Sequence, residues 1–110
     1  MSNTVMLSRS EVAKLLTIEE CMVSVEAAFK MFAEGKADPP RVLGIHAPHG
    51  GLHIKAGVMR LDRNYIVAKM NSNFPENPSK LNLPTIQGAI AVFDADNGAL
   101  LALMDSIEIT

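Results

Sequence analysis

Phe32-Ala33-Glu34-Gly35-Lys36-Ala37-Asp38-Pro39-Pro40-Arg41-Val42-Leu43-Gly44-Ile45-His46 is the stretch at which the sequence changes period. On its N-terminal side apolar residues recur every three or four positions, the mark of a helix face. On its C-terminal side they fall in short runs separated by turn residues, the mark of strands. Gly35 supplies the left-handed residue that ends a helix cheaply. Pro39 and Pro40 then forbid helix at themselves and disfavour it just before. The chain therefore reads as helices first and strands afterwards.

Toward the N-terminus, Met22, Val25, Phe29 and Phe32 form a stripe wide enough to pack on a sheet. Thr17-Ile18-Glu19-Glu20 opens that helix with a capping box. Ser8-Arg9-Ser10-Glu11 is a second box, opening a shorter helix that carries Val12, Leu15 and Leu16. Toward the C-terminus, strands are expected over Arg41–His46, Leu52–Met59, Tyr65–Asn71, Thr85–Phe93 and Ala99–Met104. Pro48-His49-Gly50-Gly51, Asp62-Arg63-Asn64 and Asp94-Ala95-Asp96-Asn97-Gly98 supply the turns. The polar stretch from Asn71 to Pro84 carries three prolines, and loops that long are often binding loops. The fold class is α+β: two N-terminal helices packed on a mixed, mostly antiparallel sheet of about five to six strands.

Composition excludes several functions. The 110 residues make one domain at most. A net charge of −2, with no basic run, removes the electrostatic case for nucleic acid or an anionic membrane. The longest apolar runs, Ala89–Phe93 and Ala99–Met104, fall far short of the roughly 20 residues of a membrane helix. Met1-Ser2-Asn3-Thr4 begins no secretory leader, and a single cysteine, Cys21, suits a reducing compartment. The expected location is cytoplasmic.

Chemistry-bearing residues are few. His46, His49 and His53 lack the spacing of a zinc finger or a helical metal pair, so no metal site is assigned. None of the seven glycines builds a phosphate-binding fingerprint. Cys21 lies on a helix with no sequence-near base and reads as structural. Arg41, Lys55 and Lys69 each sit in or beside an apolar strand. Taken singly, such lysines are solvent-face or edge residues. Taken together, three cations on adjacent strands can converge on one small anion, with an amino-acid carboxylate the natural candidate.

In order and spacing, several pieces resemble the N-terminal part of the ornithine cyclodeaminase/mu-crystallin family. They are Leu7-Ser8-Arg9-Ser10-Glu11-Val12, Phe32-Ala33-Glu34-Gly35, Pro39-Pro40-Arg41, Lys69 with Asn73-Phe74-Pro75-Glu76-Asn77-Pro78, Leu83-Pro84-Thr85, and Asp96-Asn97-Gly98 with Ala102-Leu103-Met104-Asp105. The resemblance implies that residues 1–110 are a substrate-binding and dimerisation domain, followed by a Rossmann domain that holds most of NAD or NADP. The chain's stop at Thr110 without turn or cap agrees with a piece of a longer enzyme, inactive by itself. By resemblance Arg41 grips the substrate carboxylate, Lys69 assists it, and Thr85 lies near the nicotinamide; no catalytic residue falls within this stretch. Where ornithine cyclodeaminases carry a glutamate followed by Met-Pro, this chain has His53-Ile54-Lys55-Ala56. His53 and Lys55 thus face the substrate and steer it away from ornithine. The implied activity is that of an NAD(P)-dependent enzyme on an amino or imino acid with a free carboxylate. It is either ornithine cyclodeaminase or a relative, namely a pyrroline-2-carboxylate reductase or alanine dehydrogenase. A non-catalytic, mu-crystallin-like binding protein is the alternative outside enzymes. A homodimer is implied; nucleic acid and membrane partners are not.

Overall fold

A computed structural model describes residues 3–110; Met1 and Ser2, part of the stretch read for a leader, lie outside the described residues. The elements run β1 (Val5–Leu7), α1 (Arg9–Leu15), α2 (Ile18–Ala33), β2 (Arg41–Ala47), β3 (Gly50–Arg60), β4 (Asn64–Asn73), α3 (Asn77–Lys80), β5 (Ile86–Asp94) and β6 (Leu100–Asp105). The strands form one sheet in the order β1-β6-β5-β4-β3-β2. β1 runs parallel to β6 and every other pair is antiparallel, so the class is α+β with a mixed sheet.

Local signals account for the boundaries. The Ser8 hydroxyl accepts the Glu11 N–H and the Glu11 carboxylate accepts the Ser8 N–H, a closed capping box. Those bonds hold the Glu11 carboxyl below its ordinary titration range, the Ser8 backbone N–H contributing most. At α2 only half the box forms, Thr17 Oγ1 accepting from the Glu20 N–H. Gly35 takes φ +77°, which costs a residue with a Cβ far more. Two short elements had no clear sequence signal. β1 is three residues and owes its place to parallel pairing with distant β6. α3 is a single turn inside the expected Asn71–Pro84 loop, with Asn77 buried and its amide donating to the Pro84 carbonyl.

Side chains alternate between sheet faces, so register fixes which residues share a side. One face carries His53, Lys55 and Gly57 on β3, Asn71, Lys69 and Val67 on β4, and Gly88, Ile90 and Val92 on β5. Val25, Ala28, Phe29 and Phe32 of α2 border the Gly57–Val67 end of this face across an open groove. The other carries Leu43 and Ile45 on β2, Leu52, Ile54 and Val58 on β3, and Ile66, Ala68 and Met70 on β4. The buried apolar centre is small: Val12, Ile90 and Ala91. The α2 stripe meets the sheet across an open groove instead of sealing it, with Phe29 still 73% and Phe32 50% exposed. A compact monomer of 11.9 kDa exposes about 6,000 Å². This chain exposes 7829 Å². Among the described residues no helix is long and apolar enough to cross a membrane.

Candidate functional site

The β3–β4 hairpin turns tightly, Arg60 pairing with Asn64, and this fixes the register along both strands. Lys55 stands directly opposite Lys69, and His53 directly opposite Asn71. The four side chains rise on the same face of the sheet. With Ser72, Asn73 and Ile86 they line a recess of about 310 Å³. At Lys55 and Lys69 the recess opens into the apolar groove, about 700 Å³, walled by Val25, Phe29, Phe32, Gly57, Met59 and Val67. A polar end and an apolar end thus meet at two ammonium groups.

The recess is electrostatically one-sided. Like charges directly opposite on neighbouring strands repel. Lys69 is half-buried and Lys55 exposed. The ion pairs among the described residues use Arg9, Lys36, Arg60, Arg63 and Lys80, and leave Lys55 and Lys69 without an acidic partner. No carboxylate lines the recess. Asp38, on the groove wall, is already engaged by the Arg60 guanidinium, whose Nη2 donates to Oδ1 at 2.7 Å and Nη1 to Oδ2 at 3.2 Å. That fork holds the Asp38 carboxyl below the usual carboxylate range. Its charge is not free for the lysines.

Asn71 fixes the inner wall. Its Oδ1 accepts from the fully buried Ser106 hydroxyl at 2.6 Å, and its Nδ2 donates to Thr110 Oγ1 at 3.0 Å. Ser106 in turn donates its N–H to the Gly88 carbonyl and accepts from the N–H groups of Ile109 and Thr110. The turn that follows β6 is therefore tied to the recess through one side chain. Ser72 Oγ is committed to the Gln87 carbonyl at 3.1 Å. The groups left for a ligand are Lys55, Lys69, His53 and the exposed Asn73.

Of the residues singled out in the sequence, the structure brings together His53, Lys55 and Lys69. Arg41 pairs with Ala56, so its Cβ leaves the sheet on the face opposite Lys55 and Lys69. It lines neither recess nor groove, and from the outermost strand it reaches the recess only round the free edge of β2. The convergence of three cations on one face reduces here to two lysines and a histidine. Thr85 precedes Ile86 at the entrance of β5, half-buried, its carbonyl accepting the Phe74 N–H at 2.9 Å. Asn71, Ser72 and Asn73 begin the stretch read as a binding loop but were not named as site residues, and Ile86 was not anticipated, although the hairpin register that delivers Asn71 is countable from the turn. The glycines sit in strands or just past an element's end, and none opens a helix, so the described residues offer no cradle for a dinucleotide pyrophosphate. Among the described residues no three His, Cys, Asp or Glu side chains converge as metal ligands.

The model of the ornithine cyclodeaminase/mu-crystallin family matches residues 2–110. The alanine dehydrogenase of Archaeoglobus fulgidus is 31% identical over 103 residues, which cover 94% of this chain and 31% of that protein. An archaeal alanine dehydrogenase dimer with bound NAD superimposes with a TM-score of 0.85 at 31% identity, over 96% of this chain and 32% of the other. The Δ1-pyrroline-2-carboxylate reductase of Thermococcus litoralis, in complex with NADH and L-proline, gives 0.83 at 30% identity, over 96% and 33%. The chain thus spans about a third of the length of the relatives it matches.

Proposed function

The chain belongs to the ornithine cyclodeaminase/mu-crystallin family, and from that premise we propose that residues 1–110 form the substrate-binding and dimerisation domain of a two-domain enzyme. The enzyme acts on a small amino or imino acid with a free carboxylate, using NAD or NADP. The observation that carries this reading is the recess with Lys55, Lys69 and His53 and no carboxylate of its own. Half-buried Lys69 takes the substrate carboxylate as a compact charge, and Lys55 and His53 border it. Arg41 approaches the same carboxylate from the edge of β2. A bound nicotinamide would supply hydride transfer at the substrate α-carbon, and Thr85, next to the recess residue Ile86, is the residue of this chain that would border it. The cradle for its phosphates belongs to the remaining length that the relatives possess.

A diamino acid such as ornithine needs an acid for its distal ammonium, and the recess supplies none. Amino-acid dehydrogenation or cyclic imino-acid reduction therefore fits this chain better than ornithine cyclisation. The open apolar sheet face and the 7829 Å² exposed support a homodimer. A cytoplasmic location is proposed from the composition.

The test is a substrate panel on the full-length protein, covering alanine, proline, pyrroline-2-carboxylate and ornithine with both cofactors. Turnover of an α-amino or α-imino acid, with KM raised at least tenfold in Lys69→Met, is expected. A protein that binds these ligands without turning any over is the mu-crystallin-like alternative and refutes the enzyme reading.

A further inference from the structure

Two lysines stand directly opposite each other in a recess lined by no acid. Lys55 and Lys69 occupy paired positions on β3 and β4, and paired Cβ atoms lie about 5 Å apart. His53 stands two residues along β3 on the same face, beside Lys55 and opposite Asn71. Neither lysine has an acidic partner among the described residues. Of the other polar residues lining the recess, Asn71 and Ser72 are already bonded within the protein, and Asn73 is an uncharged amide. The nearest acid on the groove wall, Asp38, is held by both nitrogens of the Arg60 fork. A pair of like charges kept face to face costs stability unless an anion lies between them. The recess, about 310 Å³, is large enough for a four- or five-carbon acid.

We propose that the recess takes an amino or imino acid bearing a second carboxylate on its side chain. Lys69, the more buried cation, holds one carboxylate, while Lys55 with His53 holds the other. This rests on the reading of the recess as a carboxylate site and adds the substrate class. The rival arrangement places both lysines on one carboxylate, with an uncharged side chain running into the groove. The two differ in what Lys55 does: in the first it discriminates between ligands, in the second it strengthens every carboxylate alike.

Calorimetric titration of the full-length protein, at saturating NADH, with succinate and with propionate separates them. Succinate should bind at least tenfold more tightly than propionate. Lys55→Met should bring the two affinities together by weakening succinate alone, and Lys69→Met should weaken both. Lys55→Gln provides the same comparison with the polarity kept, and circular dichroism establishes that either variant is folded. Equal affinities in the wild type, with Lys69→Met weakening both, overturn the second-carboxylate proposal and leave the carboxylate site standing. A Lys55 variant that weakens succinate and propionate by the same factor does likewise. Failure of both acids to bind overturns the carboxylate site and the proposal together, and propionate binding without succinate overturns the second-carboxylate proposal.

Discussion

Replacing Gly88 by alanine places a methyl group where the sheet has no room for one. Gly88 sits opposite Asn71, and a Cβ there meets the Asn71 amide oxygen, the Met70 carbonyl oxygen and, at 2.8 Å, the Asn71 Cα. Ordinary contact begins near 3.4 Å, so β4 and β5 must part or Asn71 must swing away. Overpacking of this kind costs about 1–3 kcal/mol. Moving Asn71 also breaks its bonds to the Ser106 and Thr110 hydroxyls, each contributing about 0.5–1.5 kcal/mol, and leaves the buried Ser106 hydroxyl without its acceptor. The expected loss is about 2–6 kcal/mol, a large share of the roughly 5–15 kcal/mol of an ordinary domain. Urea unfolding of the full-length protein and of Gly88→Ala, fitted at a common slope, measures it. Because part of the clash is with the Asn71 amide, Asn71→Ala should make Gly88→Ala at least about 1 kcal/mol less costly in a double-mutant cycle. A single-variant loss below about 1 kcal/mol, or additivity in the cycle, refutes the close contact and the role given to Asn71.

Three further outcomes are expected. Asp94 is buried and its carboxyl is lowered first by the Arg63 guanidinium and then by the Asp96 N–H, so it stabilises the folded chain above its unfolded value of about 3.9. That contribution disappears as pH falls through the lower folded value; below pH 4, Asp94→Asn should show a flatter loss of stability than wild type, and parallel curves would contradict the pairing. Arg41→Ala, at an exposed edge position, should raise KM for every carboxylate substrate by about tenfold or less, consistent with the roughly 1 kcal/mol of an exposed ion pair. An unchanged KM would remove Arg41 from the site. Ile45→Lys on the open apolar face should shift the full-length protein toward monomer in sedimentation velocity, and a dimer unaffected by that charge would place the interface elsewhere.

Helices, strands and their order were legible because each signal is local: a capping box at Ser8, proline at residues 39 and 40, a polar turn at residues 62–64. β1 and α3 were not, since β1 depends on a strand nearly a hundred residues away and α3 on one buried asparagine. The candidate site shows the same division. Lys55 and Lys69 are ordinary strand residues until the tight turn after Arg60 is used as an origin, and counting outward from it makes them partners. The same count from Pro48 and His49 sends Arg41 to the other face, a step that residue type and family likeness do not reveal. The Asn71–Ser106–Thr110 connection was beyond the sequence, because nothing in it ties the turn after β6 to the far end of β4. The open groove under α2 was likewise hidden. An amphipathic stripe shows which way a helix faces, but not how closely it seats.

A crystal structure of the full-length protein with NADH and a non-reactive carboxylate such as succinate tests the recess most directly. A carboxylate oxygen within hydrogen-bond distance of Lys69 Nζ, in the hollow between His53, Lys55 and Asn71, is the result expected. The same ligand bound elsewhere, with Lys69 still facing solvent, would contradict it.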